Sequence, residues 1–147
     1  MLRRRWPILA FAAWSAYVWI TRISNAWGPA SEETTSAKVI STVSAGVLLV
    51  GVLATVAILV RARARGFVAA EVLVLRVFVG LTVAVWAVRV PQILLDGEHN
   101  VGFKVVHTAL AVLSVGLGVL TWRRATTEPL EPAIGSPAVS PVASGRR

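Results

Sequence analysis

The 147-residue sequence contains no cysteine, only one methionine, two lysines (Lys38 and Lys104) and two histidines (His99 and His107). The lack of cysteine excludes disulfide bonds, cysteine-ligated metal sites and thiol catalysis. The motifs typical of zinc hydrolases, serine hydrolases and phosphate-binding glycine loops are also missing from the sequence. These absences favour a non-enzymatic protein, and they predict no bound cofactor or metal.

Positive charge is abundant, but arginine carries nearly all of it, and the net charge is +8. Such a charge often indicates a nucleic-acid-binding protein. Here the arginines flank long apolar runs instead, which is typical of membrane topology signals. The chain is 56% hydrophobic, whereas roughly 45–50% is usual for a soluble domain. We therefore predict a membrane protein that lies in a lipid bilayer and does not bind nucleic acid.

Four apolar runs reach the ~20 residues that a helix needs to cross the hydrocarbon core. They cover residues 6–27, 38–60, 67–95 and 101–122, and the third has room for tilt or for a kink at Pro91. The short connections predict that consecutive helices are antiparallel. The predicted fold is an all-α polytopic membrane domain over residues 1–124, with four antiparallel transmembrane helices.

The distribution of arginines predicts the orientation of this domain. Arginines at 3–5, in the "RARAR" loop at 61–65, and at 123–124 fall on one side of the four runs. The segments 28–38 and 96–100 fall on the other side, and they are acidic apart from Lys38. By the positive-inside rule both termini are cytoplasmic. The richness in arginine, alanine and valine is typical of a bacterial protein, so we expect a multi-pass protein of the bacterial cytoplasmic (inner) membrane.

The two ends of the chain need separate interpretation. The arginines at 3–5, the apolar run and "SNA" before Trp27 also fit a signal peptide, whose cleavage would leave three spans. Arg22 and the length of the run argue for retention instead. At the other end, residues 125–147 are rich in proline, serine and alanine without an apolar period, which predicts a disordered cytoplasmic tail.

Ionisable residues inside apolar runs are costly in hydrocarbon, and this makes Arg76 and Glu71 a candidate intramembrane polar site. Arg76 lies about 13 Å from the start of the third run at 1.5 Å per residue. Glu71 is five residues away and does not share its helix face. Arg76 therefore needs another partner, for which Ser41, Ser44 and Thr55 are candidates. A structural contact between helices and a path for a substrate or for protons are both open interpretations.

A second candidate site lies toward the outer ends of the runs, where four basic residues occur: Arg22, Arg89, Lys104 and His107. Their side chains either reach headgroups and loop acids separately, or converge on a pocket for an anion or a lipid headgroup. For His107 we expect a hydrogen-bonded packing role, with proton relay as the alternative. Haem would need a second axial histidine at similar depth, and the spacing of acids and histidines over 96–107 matches no zinc pattern.

Small residues form stripes at helical spacing in the second and fourth runs. The residues concerned are Ser44, Gly51 and Thr55 in the second run and Ala111, Ser114 and Gly118 in the fourth. Small side chains three or four residues apart let another helix approach closely. The two stripes match, so tight helix packing is predicted along them, with His107 on the packed side.

Together these patterns favour a small integral membrane protein that acts as a non-enzymatic accessory or interaction subunit. Such a subunit would associate with further copies of itself or with a larger membrane complex. The alternative is a small transporter or channel for an anion or a proton-coupled solute, which would use Arg76 and the outer basic residues. An enzyme that modifies lipids ranks third.

Overall fold

The computed structural model describes residues 2–29, 31, 34–97 and 100–127, which form four α-helices. Helix α1 covers Leu2–Ala26, α2 covers Thr35–Arg65, α3 covers Ala69–Leu95 and α4 covers Val101–Thr127. Over these residues the prediction of an all-α fold with four helices is therefore confirmed. Most of the predicted tail, His99 and the loop acids Glu32, Glu33 and Glu98 lie outside the described residues.

Local hydrogen bonds explain where three of the helices begin. The Thr34 hydroxyl accepts a hydrogen bond from the Ala37 amide at 3.3 Å and caps α2. The Glu71 carboxylate accepts from the Val68 amide at 3.2 Å at the start of α3. The Asn100 side-chain oxygen accepts from the Phe103 amide at 2.8 Å at the start of α4. Each contact satisfies an amide that has no partner within its own helix.

The "RARAR" segment is helical rather than a loop, since α2 continues to Arg65. The turn that follows is confined to the few residues before Ala69. Gly66 adopts a φ of 91°, which glycine tolerates far better than other residues, and its amide donates to the Ala62 carbonyl at 3.1 Å. The end of α3 agrees with the predicted end of the third run, because the helix continues through Pro91 to Leu95.

Three of the helices are long and apolar enough to cross a membrane, over Thr35–Arg63, Ala69–Leu95 and Val101–Thr127. Among the described residues α1 does not meet that condition, so three of the four predicted spans are supported. The reason is compositional: α1 contains several tryptophans, a tyrosine, two serines and Arg22, which lower its mean hydropathy. The outward faces of the other helices carry many exposed large apolar side chains, including Leu53, Leu73 and Val112. Such surfaces are compatible with a membrane protein.

The four helices form a closed ring in which each helix packs against its neighbours in the chain and α4 packs against α1. Within the described part of the chain, the backbones of α1 and α3 lie across the ring without close contact, as do those of α2 and α4. The two small-residue stripes therefore do not pack against each other. They face the helices between them.

Aromatic rings from α1 and α3 meet across the middle of the ring. The centroids of Phe11 and Phe78 are 5.0 Å apart, and those of Trp19 and Trp86 are 6.4 Å apart. Both pairs are 67 residues apart in the chain, so the two helices keep one register over two turns. All four side chains are buried in one core cluster. Aromatic pairs at such distances contribute about 0.5–1.5 kcal/mol beyond burial.

The helices beside these rings supply small residues where the rings need room. A Cβ added at Gly51 of α2 would overlap the ring of Phe78. A Cβ at Gly118 of α4 would lie 3.2 Å from Val79 Cγ1 and 3.6 Å from Phe11 Cε2. Large side chains on α1 and α3 thus fit against glycines on α2 and α4, which brings the backbones of neighbouring helices close together.

This packing predicts that alanine at Gly51, but not at Gly46, lowers the stability of the bundle. Gly51→Ala should destabilise the bundle by about 1–3 kcal/mol, because Phe78 is held against Phe11 and cannot move aside freely. Gly46→Ala is the matched control, since a Cβ there meets no heavy atom within 4 Å. Unfolding of the two variants in detergent, followed by circular dichroism, measures the difference. Equal stability of Gly51→Ala and Gly46→Ala would contradict the packing.

Candidate functional site

One end of the bundle is rich in arginine, and we call it the arginine-rich end. It carries Arg5, Arg61, Arg63, Arg123 and Arg124. Beneath these residues lies an apolar cluster contributed by all four helices, which includes Ile8, Ile58, Leu75 and Ala125. The start of α1 and the end of α4 are joined here by a hydrogen bond from the Thr121 hydroxyl to the Pro7 carbonyl at 3.3 Å.

Arg5 closes this end by contacts with α2 and with the turn after it. Its Nη1 donates to the Ala62 carbonyl at 2.7 Å, and its guanidinium lies 4.7 Å from the centroid of the buried Phe67 ring. Ala62 belongs to the last turn of α2, whose carbonyl groups attract positive charge. The contact therefore adds a charged donor at a helix end, which is a structural use of an arginine.

Glu71, one member of the predicted intramembrane site, lies at the same end. It is 8% exposed and holds the Val68 amide with one carboxylate oxygen. This is half of a capping box, because Val68 has no side-chain hydroxyl to complete the other half. A carboxylate at the start of a helix is also favoured by the helix dipole. Glu71 thus stabilises the start of α3.

Arg76, the other member, takes a partner that the sequence analysis did not name. Its Cζ lies 5.3 Å from the ring centroid of Trp122 on α4, within the range of a cation–π contact. The hydroxyls considered as partners are used elsewhere: Ser41 accepts from Arg22, Ser44 donates to the Ile40 carbonyl and Thr55 donates to the Gly51 carbonyl. Arg76 Nε is buried without a hydrogen-bond partner in the described part of the chain.

At the opposite end, Arg22 and Lys104, two of the predicted basic residues, contact different helices. Arg22 Nε donates to the Ser41 hydroxyl at 2.9 Å and so connects α1 with α2. Lys104 Nζ donates to the Leu94 carbonyl at 3.0 Å and covers the end of α3. Arg89 is exposed on α3. Lys104, like Arg5, places a cation at the C-terminal end of a helix, where the helix dipole favours positive charge.

His107 contacts its own helix. Its Nδ1 is 2.9 Å from the Phe103 carbonyl oxygen, and its ring lies 3.9 Å from the Phe103 ring centroid. The side chain is half-buried. These contacts are those of a hydrogen-bonded packing residue. No group of three or more metal-binding side chains occurs in the described residues.

Several polar groups lie in the core between the aromatic layers. Trp14 Nε1 donates to the Ser114 hydroxyl at 2.9 Å, and Ser114 in turn donates to the Leu110 carbonyl at 2.7 Å. Thr82 is 1% exposed and donates to the Phe78 carbonyl at 3.0 Å. The Ser15 hydroxyl and the Trp86 indole nitrogen are buried without a partner in the described residues.

The concave surface on α4 does not resemble a substrate-binding site. A groove of about 500 Å³ runs along the outward side of α4 near its start. It is open and almost wholly apolar, with Lys104 and Thr108 among its few polar neighbours. Such a groove has no convergent polar groups that could orient a substrate.

Comparison with known proteins adds no assignment: no family model matches the chain, and no match is found among curated proteins or solved structures.

Sequence reasoning selected most of these residues but not their partners. Trp14, Phe67 and Trp122 were not part of any predicted site. Trp14 forms an inter-helix hydrogen bond, and the rings of Phe67 and Trp122 form cation–π contacts with arginines. One signal was present for Trp122. An arginine side chain is long enough to reach along the helix axis, so its head can lie at the depth of a tryptophan near the end of another span.

The bond between Trp14 and Ser114 predicts a measurable coupling. Trp14→Phe and Ser114→Ala should each destabilise the bundle, and the double variant should lose about 0.6 kcal/mol less than the sum, as is average for hydrogen bonds between membrane helices. Unfolding in detergent measures the three variants against the parent chain. Trp14→Phe combined with Thr34→Ala is the control pair, because these residues share no contact and their effects should add. Strict additivity for Trp14 and Ser114 would contradict the bond.

Proposed function

We propose that the chain is a non-enzymatic accessory or interaction subunit of a membrane assembly. The observation that carries this proposal is the use of its polar side chains. Arg5, Lys104 and Glu71 bind helix ends, while Arg22 and Trp14 bind hydroxyls of neighbouring helices. Chemistry on a substrate needs groups that converge on a shared space. Here the polar groups hold helices together.

Glycines on the outside of the bundle support a role in association. Gly80 of α3 and Gly116 of α4 are exposed, and a Cβ at either position would meet no heavy atom within 4 Å. Inside the bundle, by contrast, Gly51 and Gly118 lie against bulky side chains. Glycine in a membrane helix commonly marks close approach of another helix. The outward glycines therefore suit contact with a further copy or with another membrane protein.

We further propose the bacterial cytoplasmic membrane as the site of this assembly, with four antiparallel spans and cytoplasmic termini. Contacts support this arrangement: Arg5 meets Ala62 near the end of α2, and Trp27 Nε1 donates to Thr42 near its start. Retention of α1 is supported by its core side chains, Phe11 and Trp19, which fill the centre of the bundle. The arginine-rich end would face the cytoplasm.

The orientation can be tested with reporters fused to the full membrane domain. A reporter after Arg124 should be active on the cytoplasmic side, and a reporter inserted after Gly97 should be active on the external side. Alkaline phosphatase and green fluorescent protein give opposite signals on the two sides, so each fusion checks the other. An external signal from the fusion after Arg124 would rule out the four-span topology.

The alternative function is a small transporter or channel for an anion or a proton-coupled solute. One observation favours it: Ser15, Arg76 and Trp86 each have a buried polar atom without a partner in the described residues. Polar groups of this kind can line a path through a membrane protein. A transporter that works as a single chain does not depend on the outward glycines, whereas an accessory subunit does. Substitution of these glycines therefore distinguishes the two proposed functions.

Association can therefore be tested on the outer face of α3. Extracted in mild detergent from its native membrane, the chain should run well above its own 15.7 kDa after correction for bound detergent. Gly80→Leu should shift it toward the monomer, because a leucine fills the space that a partner helix needs. Val88→Leu is the matched control, since Val88 lies on the same helix and is 59% exposed. A monomeric parent chain, or an unchanged Gly80→Leu assembly, would contradict the accessory role.

A further inference from the structure

The side chain of Arg76 carries a positive charge that forms no ion pair with a described residue. Arg76 is the eighth residue of α3 and lies about 10 Å along the axis from its start at 1.5 Å per residue. Its guanidinium makes a cation–π contact with Trp122 but no hydrogen bond or ion pair with a described residue. The acid nearest on α3, Glu71, lies on a different face and binds the Val68 amide.

A charge in a membrane span needs a counter-charge, a hydrogen-bonding partner or water. The cation–π contact with Trp122 offsets only part of that need, since it leaves the N–H donors of the guanidinium unused. The indole N–H of Trp122 also has no hydrogen bond to a described residue. Two adjacent groups with unused donors therefore lie on neighbouring helices, and both favour an acceptor with negative charge.

The surroundings of Arg76 and Trp122 add positive charge on one side and apolar surface on the other. Arg123 and Arg124 follow Trp122 directly and are exposed. Deeper along the two helices, Val77 is 53% exposed and Val119 is 43% exposed. The ligand that matches this arrangement has an anionic head and an apolar tail.

We propose that Arg76, Trp122 and Arg123 bind the phosphate of an anionic phospholipid, whose acyl chain lies against Val77 and Val119. The guanidinium of Arg76 donates hydrogen bonds to two phosphate oxygens, a geometry that arginine favours. The Trp122 ring holds that guanidinium in place, and Arg123 adds charge at the rim of the site. This inference rests on the proposed membrane location, but the site belongs to the single chain and does not depend on its association with a partner.

The site predicts selective lipid binding that can be measured by native mass spectrometry on the full chain in detergent. Phosphatidylglycerol should bind more tightly than phosphatidylcholine. Arg76→Gln should weaken phosphatidylglycerol binding by about tenfold, which corresponds to loss of one charge-assisted contact. Arg76→Lys should retain part of the affinity, because it keeps the charge but not the two-pronged geometry.

Arg63→Gln is the matched control, because it removes one exposed arginine from the same end of the bundle on α2, whose backbone has no close contact with that of α4. It should leave binding unchanged. Trp122→Leu provides a second test at an exposed position if Arg76→Gln proves poorly folded by circular dichroism, and it should also weaken binding. Equal affinity of the parent chain and these variants would overturn the site.

Three other results would also overturn it. Equal losses for Arg76→Gln and Arg63→Gln would mean that the lipid senses only the net charge of the arginine-rich end. Equal binding of phosphatidylcholine would remove the selectivity for an anionic headgroup. Displacement of phosphatidylglycerol by inorganic phosphate would assign the site to a free anion. A monomeric chain in the association experiment would leave the lipid site intact, so the two proposals fail separately.

Discussion

Contact between aromatic rings across the middle of the bundle determines where the other helices can lie. Phe11 meets Phe78 and Trp19 meets Trp86, so α1 and α3 touch through side chains while their backbones stay apart. The rings occupy the centre, and α2 and α4 can close the ring only where they carry small residues. Gly51 and Gly118 satisfy that condition. The same rings fill the axis along which a transporter of this size would need its path.

The sequence predicted the helices well because the physical signals for them are local. Apolar runs of sufficient length are visible without knowledge of the fold, although the continuation of α2 through the "RARAR" segment to Arg65 was not predicted. The first run was harder to identify as a membrane span, because its tryptophan, tyrosine and serine residues can form a buried helix face while keeping the mean hydropathy low. Its side chains Phe11, Ser15 and Trp19 are nevertheless central to the core.

Partners between helices were less predictable than the helices themselves. A stripe of small residues shows which face of a helix is packed but not which neighbour packs there, so the stripes of α2 and α4 could not be assigned to α1 and α3. The depth of Arg76 shows the same limit. Its Cα lies well inside α3, yet its guanidinium lies beside Trp122, near the end of α4. A linear sequence gives the position of the backbone, whereas long side chains decide where charge resides.

The contact of α4 with α1 has a consequence for biosynthesis. Trp14 and Ser114 are 100 residues apart, and Pro7 and Thr121 are 114 residues apart. At the usual rate of synthesis, about 5–20 residues per second, α1 is made roughly 5–20 seconds before its partner on α4 exists. During that interval α1, which is less apolar than the other three described helices, can pack only against α2 and, once it is made, α3, and Trp14 lacks its hydroxyl partner. The least apolar of the four described helices is therefore made first, and α4, the last of them, completes its surroundings.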